Sequence, residues 1–188
     1  MMTSLKKLFL WDEKFSQNMI LDENHKILRG FLQFVSHSCD SWYWLIGLIL
    51  VWAFTKGQTR QMALYLAFGL GLLAVFVLGV KFLVRRTRPE GEWGQIYRAT
   101  DPHSFPSGHA ARAMAIAVIS LSLDVAWWIV LLLFVWAILV GISRILLSLH
   151  YFSDVIVGWL IGLLSGWLAI LLFPVFVRLG SQFFPALF

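Results

Sequence analysis

The chain has 188 residues, 60% of them hydrophobic and 13% charged, with a formal net charge of +5. Soluble domains carry about 25% charged residues, so this composition excludes a soluble globular fold and points to a bilayer as solvent. The single cysteine, Cys39, excludes an intramolecular disulfide. His37, Cys39 and Asp40 lie close together, but no metal-ligand spacing is repeated elsewhere, so neither a metal nor another cofactor is expected. The basic excess is expected to meet anionic headgroups and to serve the motifs described below; no nucleic-acid partner is expected.

Residues 1–40 are the polar part of the chain. Lys6 and Lys7 precede an apolar run that Asp12 and Glu13 cut short. No small-residue cleavage site follows, so a removed signal peptide is not expected. Leu8, Trp11, Phe15 and Met19 recur at helical spacing, which predicts an amphipathic surface helix. Asp22 or Asn24 is expected to cap a second helix with Ile27, Leu28, Phe31, Leu32 and Val35 as its stripe. Packing of both stripes on the bundle is the alternative to contact with lipid.

Five apolar segments follow: Ser41–Thr55, Gln61–Arg85, Ser107–Leu123, Val125–Ser148 and Phe152–Val177. Spans of about 20 residues cross the hydrocarbon as helices, because only helices satisfy their own backbone there. The predicted fold is therefore all-α: an integral membrane helical bundle of about five transmembrane helices over residues 41–179, with a tail at 180–188. The connections 55–60 and 122–124 are short, which puts the linker 86–106 and the junction 149–151 together on the other membrane side. Gly158, Gly162 and Gly166 continue the four-residue rhythm of Asp154 and turn that face toward the bundle interior. A homodimer seam is the alternative use of these glycines.

Three polar constellations stand in this apolar background. Lys81 and Arg88 are seven residues apart, on one helix face, and Pro89 stops the helix. Charges in a membrane segment need a partner, and a phosphate fits. Arg85 and Arg86 are assigned to headgroups. Pro106-Ser107-Gly108-His109 sits where a loop becomes a helix, and helix N-termini bind phosphate through unpaired N–H groups. Ser107 is expected as the N-cap. Ser143-Arg144 precedes His150 and Asp154, which are four residues apart and so share a helical turn. A carboxylate on one imidazole nitrogen raises the basicity of the other, which makes a nucleophile or a base. On a continuous helix Arg144 would point away from His150, so a break is predicted near Leu147–Leu149.

In this order and spacing the three motifs resemble the type-2 phosphatidic acid phosphatase superfamily. Its pattern is Lys-x6-Arg-Pro, Pro-Ser-Gly-His and Ser-Arg-x5-His-x3-Asp. Every named position is matched, by Lys81, Arg88, Pro89, Pro106, Ser107, Gly108, His109, Ser143, Arg144, His150 and Asp154, and the resemblance covers about residues 60–170. Many membrane members have six spans, so a surface helix is expected to replace the first. The resemblance implies a metal-independent lipid phosphatase acting through a phosphohistidine. In it His150 attacks, Asp154 orients His150, and His109 is the general acid. Lys81, Arg88, Ser107, Gly108 and Arg144 hold the phosphate.

The site lies at the end of membrane helices, so the implied substrate is a lipid phosphate or diphosphate from the bilayer. Arg85-Arg86-x-Arg88-Pro89 and Ala110-x-Arg112-Ala113 look most like the polyisoprenoid diphosphate phosphatases. Phosphatidate, phosphatidylglycerophosphate and lipid A phosphatases are the alternatives. A non-catalytic lipid-phosphate-binding membrane protein is a reading of a different class, against which His109, His150 and Asp154 speak. The loop 90–103 is expected to set specificity through Arg98 or His103; solvated loop charges are the other reading. The expected location is the plasma (inner) membrane of a prokaryote. Lys6, Lys7, Lys14, Lys26 and Arg29 share the side of the site, which places it at the cytoplasmic face by the positive-inside rule. Many bacterial members of the family work on the outer face.

Overall fold

Long apolar runs without breakers close their hydrogen bonds internally, and they do so here as helices. A computed structural model of the chain describes residues 4–90 and 101–183. Its helices are α1 (Ser4–Gln17), α2 (Lys26–His37), α3 (Ser41–Phe54), α4 (Gly57–Val84), α5 (Gly108–Ser120), α6 (Trp127–Leu146) and α7 (Phe152–Phe183). The one strand-like feature among the described residues is an isolated bridge between Thr87 and His103.

α4, α6 and α7 are long and apolar enough to cross a membrane. The other two expected spans are shorter. α3 has 14 residues and α5 has 13, so each reaches about 20 Å against a hydrocarbon core of about 30 Å. α5 is the enclosed centre of the bundle, with nearly every residue from Ala110 to Ser120 buried. Its alanines let neighbours approach, and α4, α6 and α7 all pack on it. The glycines of α7 face it. A Cβ at Gly158 would stand 2.6 Å from the carbonyl oxygen of Ser107, and one at Gly162 would strike the backbone of Ala111. The glycine face is thus used inside the chain.

α1 presents Leu8, Trp11 and Phe15 outward and buries Asp12 and Ser16. Its polar face is the one buried on the bundle, with Phe9 and the edge of Phe15 reaching Phe105 and Phe152 beside it. α2 divides its stripe: Leu32 and Val35 are buried, while Ile27, Leu28 and Phe31 are exposed. Neither Asp22 nor Asn24 is the residue before α2; that place is taken by His25, which makes no side-chain cap bond. Asp22 instead closes a local turn, its Oδ1 accepting the Asn24 N–H at 2.8 Å.

The predicted break is present. α6 ends at Leu146, Ser148 is left-handed at φ 56°, and α7 begins at Phe152. The N–H groups of Leu149 and His150 both donate to the carbonyl oxygen of Arg144, at 3.0 and 3.1 Å. The chain folds back on the end of α6, so Arg144 and His150 meet although a continuous helix would separate them.

Candidate active site

The last turn of α4 and the chain beyond it supply the first cations; the helix ends at Val84, with Arg85 left-handed, so Lys81 and Arg88 do not share the expected helix face and Pro89 is not what stops the helix. Lys81 and Arg88 are buried, and both grip one carboxylate. Lys81 Nζ donates to Asp101 Oδ1 and Oδ2 at 2.9 and 2.7 Å and to the His103 carbonyl at 2.7 Å. Arg88 Nη2 donates to Asp101 Oδ2 at 2.8 Å, and its Nε to the Asp101 carbonyl at 2.8 Å. The partner that these membrane-end charges require is thus Asp101 in this structure. The two cations are spaced to hold an oxyanion between them.

Arg88 also meets the third motif. Its Nη1 donates to the Leu149 carbonyl at 3.1 Å and approaches His150 Nε2 at 3.0 Å. A guanidinium has no acceptor, so Nε2 accepts and the ring proton of neutral His150 sits on Nδ1. Nδ1 lies 3.5 Å from Asp154 Oδ2. That is ion-pair distance but long for a hydrogen bond, and Nδ1 has no hydrogen-bond partner. The expected direct His150–Asp154 hydrogen bond is therefore not closed. Asp154 Oδ2 instead accepts the Tyr151 N–H at 3.0 Å, as a helix-start carboxylate does. Burial pushes the His150 imidazole well below its ordinary pKa, and Arg88 and Arg144 push the same way. A neutral ring whose Nε2 accepts from Arg88 is able to serve as a nucleophile once that hydrogen bond opens.

Ser107 occupies the N-cap position of α5 but makes no cap bond through its side chain. Its N–H donates to the Asp154 carbonyl at 2.9 Å, which ties the second motif to the third. Ser107 Oγ is buried without a partner, a state that costs about 1–3 kcal/mol unless a ligand satisfies it. At Gly108 an added Cβ would meet only Val77, at 3.8 Å. Packing does not demand glycine there, and its absent side chain leaves the backbone open to close approach. Arg144 is fully buried and donates from Nη1 to Ser36 Oγ at 2.7 Å. A cleft of about 200 Å³ reaches His150 between the end of α1 and the start of α7, lined in part by Ser16, Glu90, Ser148 and Tyr151.

His109 pairs through Nε2 with Asp40 Oδ1 at 2.6 Å, and its electrostatic influence reaches His150. The sequence-predicted residues Lys81, Arg88, Ser107, Gly108, His109, Arg144, His150 and Asp154 thus gather at one end of the bundle. The candidate specificity residues fare differently. Arg98 lies outside the described residues. His103 contributes its carbonyl to Lys81, while its ring stands edge-on to Phe82 at 6.5 Å. No group of three or more His, Cys, Asp or Glu side chains able to hold a metal occurs among the described residues.

The sequence profile of the PAP2 superfamily matches residues 60–178. The chain belongs to that superfamily. It is 29% identical over 139 residues to an undecaprenyl-diphosphatase of Sulfolobus acidocaldarius, a match covering 72% of this chain and 66% of that protein. A shorter match, 36% identical over 64 residues, covers 34% of this chain and 28% of a lipid A 4'-phosphatase of Bacteroides thetaiotaomicron. Among solved structures, Aquifex aeolicus LpxE superimposes with a TM-score of 0.64 at 27% identity, over 84% of this chain and 93% of that one. With its long apolar helices, this PAP2 protein is an integral membrane protein.

Four residues of this PAP2 site were not assigned to it from sequence: Asp12, Asp40, Arg86 and Asp101. Arg86 corrects the headgroup reading. Arg85 is exposed, at φ 50° in the cap of α4, but Arg86 turns inward and is 6% exposed. Its Nη1 donates to Asp12 Oδ2 at 2.7 Å, Ser153 Oγ at 2.9 Å and Asp154 Oδ1 at 3.0 Å. The guanidinium stacks on the rings of Tyr151 at 3.9 Å and Phe9 at 4.5 Å. A carboxylate on the polar face of α1 was the only signal of Asp12, and nothing in the sequence linked it to Arg86. Asp40 was visible only as the neighbour of His37 and Cys39, a grouping weighed for metal and set aside, and nothing in the sequence linked it to His109.

Proposed function

We propose that this chain is a lipid phosphate phosphatase that removes phosphate from a lipid mono- or diphosphate through a phosphohistidine, with a polyprenyl diphosphate as the favoured substrate. One observation carries the reading: His150 presents an acceptor Nε2 to Arg88, which shares with Lys81 the grip on a carboxylate. A phosphoryl group held where Asp101 now sits has the nucleophile beside it. The three spans and the likeness to an undecaprenyl-diphosphatase support a lipid substrate. So does an apolar groove of about 480 Å³ between α3 and α4, which includes Arg112, one helical turn from His109.

The mechanism follows from these residues. The Nε2 lone pair of His150 attacks the terminal phosphorus, and its bond to the leaving oxygen breaks: the lipid oxygen of a monophosphate, the bridging oxygen of a diphosphate. His109 gives its proton to that oxygen. Asp154 and the neighbouring Arg86 hold the His150 end in place, and the imidazolium formed on attack faces Asp154. Lys81, Arg88, Ser107, the Gly108 amide and Arg144 meet the charge on the phosphoryl oxygens. Water then attacks phosphorus and yields a proton to His109, the phosphorus–nitrogen bond breaks, and inorganic phosphate leaves. With cations in these places the reaction proceeds without a metal. The membrane is the plasma membrane of a prokaryote. A lipid A phosphatase is the second reading, favoured by the match to the lipid A 4'-phosphatase.

The test is phosphate release by the purified full-length chain from polyprenyl diphosphate, phosphatidate, phosphatidylglycerophosphate and lipid A. Fastest turnover on the polyprenyl diphosphate supports the proposal. Fastest turnover on lipid A transfers it to the second reading. Binding of all four without release makes the chain a lipid-phosphate receptor and refutes it.

A further inference from the structure

His109 is held from outside the region that matches the PAP2 profile, which begins at residue 60. Its Nε2 meets Asp40 Oδ1 at 2.6 Å, and the second oxygen of Asp40 meets His37 Nδ1 at 3.0 Å. The connection that carries Asp40 is fastened on both sides. Arg112, one turn beyond His109 on α5, donates to the Cys39 carbonyl and to Ser41 Oγ, each at 2.6 Å. The Ser38 carbonyl accepts from Trp44 Nε1 at 3.1 Å, and Ser38 Oγ from Trp136 Nε1 at 2.8 Å. Cys39 Sγ lies 3.5 Å from the His109 carbonyl. A turn bonded to α3, α5 and α6 fixes where its carboxylate points.

The charges around His109 give this carboxylate a task. Burial, Arg144 and Arg112 all disfavour the protonated imidazole, and Asp40 is the carboxylate that opposes them. Burial alone would raise the Asp40 carboxyl, but the bonds from His109 and His37 prevail and hold it at about 2. It is therefore ionised at neutral pH. An ionised partner on one ring nitrogen sets the tautomer and steadies the protonated ring.

We propose that Asp40 is the positioning residue for His109 in the phosphatase reaction, with His37 clamping Asp40 from the surface side. With Nε2 engaged by Asp40, the proton that passes to the lipid oxygen travels on Nδ1. The inference rests on the phosphatase reading above, and it places a working residue outside the three motifs.

The test uses the full-length chain in detergent with farnesyl phosphate and farnesyl diphosphate. An alkoxide leaves poorly and needs acid help; a phosphate monoester leaves well and needs less. His109→Ala should therefore cost more on the monophosphate. Asp40→Asn should show the same bias at smaller amplitude, with kcat on farnesyl phosphate down by about 10–100-fold, by analogy with the loss of carboxylate partners from metal-bound histidines. KM should stay unchanged. In a His109→Ala background Asp40→Asn should add nothing. His37→Gln, which leaves the carboxylate in place, should show the bias more weakly. Equal losses on both substrates for Asp40→Asn and His37→Gln, or the same loss with and without His109, would make Asp40 merely structural and overturn the inference. Equal loss on both substrates for His109→Ala would remove the general-acid reading itself, and this inference with it.

Discussion

Arg86 is the buried cation whose removal should cost most. It sits between Asp12 and Asp154, at 2.7 and 3.0 Å, with all three side chains at most 3% exposed. Arg86→Met keeps an apolar stem against Phe9 and Tyr151, so packing is largely retained. What it removes is the positive charge between two buried carboxylates. Breaking a buried ion pair from one side costs about 3–5 kcal/mol, because the charge left behind is uncompensated. Here two carboxylates are left, so the upper half of that range, about 4–5 kcal/mol, is expected. Adding Asp12→Asn takes away one of the stranded charges while keeping a partner for Ser153, whose N–H bonds Asp12 Oδ1 at 3.0 Å. The double variant should recover part of the loss, with a coupling of about 1–3 kcal/mol. The assay is denaturant unfolding in detergent micelles of the wild type, both single variants and the double variant. Arg86→Lys should fall between wild type and Met, since an ammonium cannot reproduce the stacked, forked contacts. A loss below about 1 kcal/mol for Arg86→Met, the size of an exposed salt bridge, would refute the reasoning. So would a double variant less stable than the two single losses added together.

His150→Ala should abolish turnover on mono- and diphosphates alike without unfolding the chain, and acid-labile phosphate should be trapped on His150 in the wild type; phosphate trapped on His109 would reverse the assignment. Chelators should leave activity within about twofold, since cations stand where a metal's charge would be needed; loss in EDTA restored by magnesium would count against this. Folding stability should fall as pH drops below the ordinary histidine value of about 6.5. The unfolded chain protonates there while buried His150, its pKa lowered by desolvation and by Arg88, stays neutral. The slope from this group approaches 1.4 kcal/mol per pH unit until its lowered pKa is reached. His150→Gln should flatten that slope, and an unchanged slope would show that His150 protonates normally.

Much of the fold was legible because apolar length and periodicity are local. The runs over α4, α6 and α7 read as spans, and their ends fell within about four residues of the predicted ones except at the end of α7, which runs to Phe183, past Val177 and into the expected tail. The break before His150 followed from helix geometry once Arg144 and His150 were both required to meet one phosphate, since six residues on a helix put two side chains on different faces. The enclosure of α5 was less legible. An alanine-rich segment can be a short span or a buried core helix, and only its neighbours decide; the glycines of α7 were the hint. The orientation of α1 was open for a similar reason. Its apolar stripe was evident, but the face that met the protein was the one carrying Asp12 and Ser16, chosen by their bonds to Arg86, Ser153 and the Phe152 N–H.

The cations and histidines of the site were legible because each motif is short and local in sequence, although Arg88 and His150 both lie beyond the helix ends at Val84 and Leu146. The carboxylates were not, because each answers a cation distant in sequence. Asp12 is 74 residues from Arg86, Asp40 is 69 from His109, and Asp101 is 20 from Lys81. A lone Asp on a surface helix or in a connection looks like solvated charge until the fold brings its partner to it. Yet a low-dielectric site crowded with Lys81, Arg86, Arg88 and Arg144 must find negative charge somewhere. Asp154 lies within the motifs, and the other carboxylates are supplied from outside them. Asp12 and Asp40 both precede the matched region at residues 60–178. The first forty residues therefore do more than lie on the membrane. Without them the three motifs would remain intact in sequence, while Arg86 would lose Asp12 and Glu13 and keep only Asp154 of its three carboxylates, and His109 would lose the carboxylate that holds its ring.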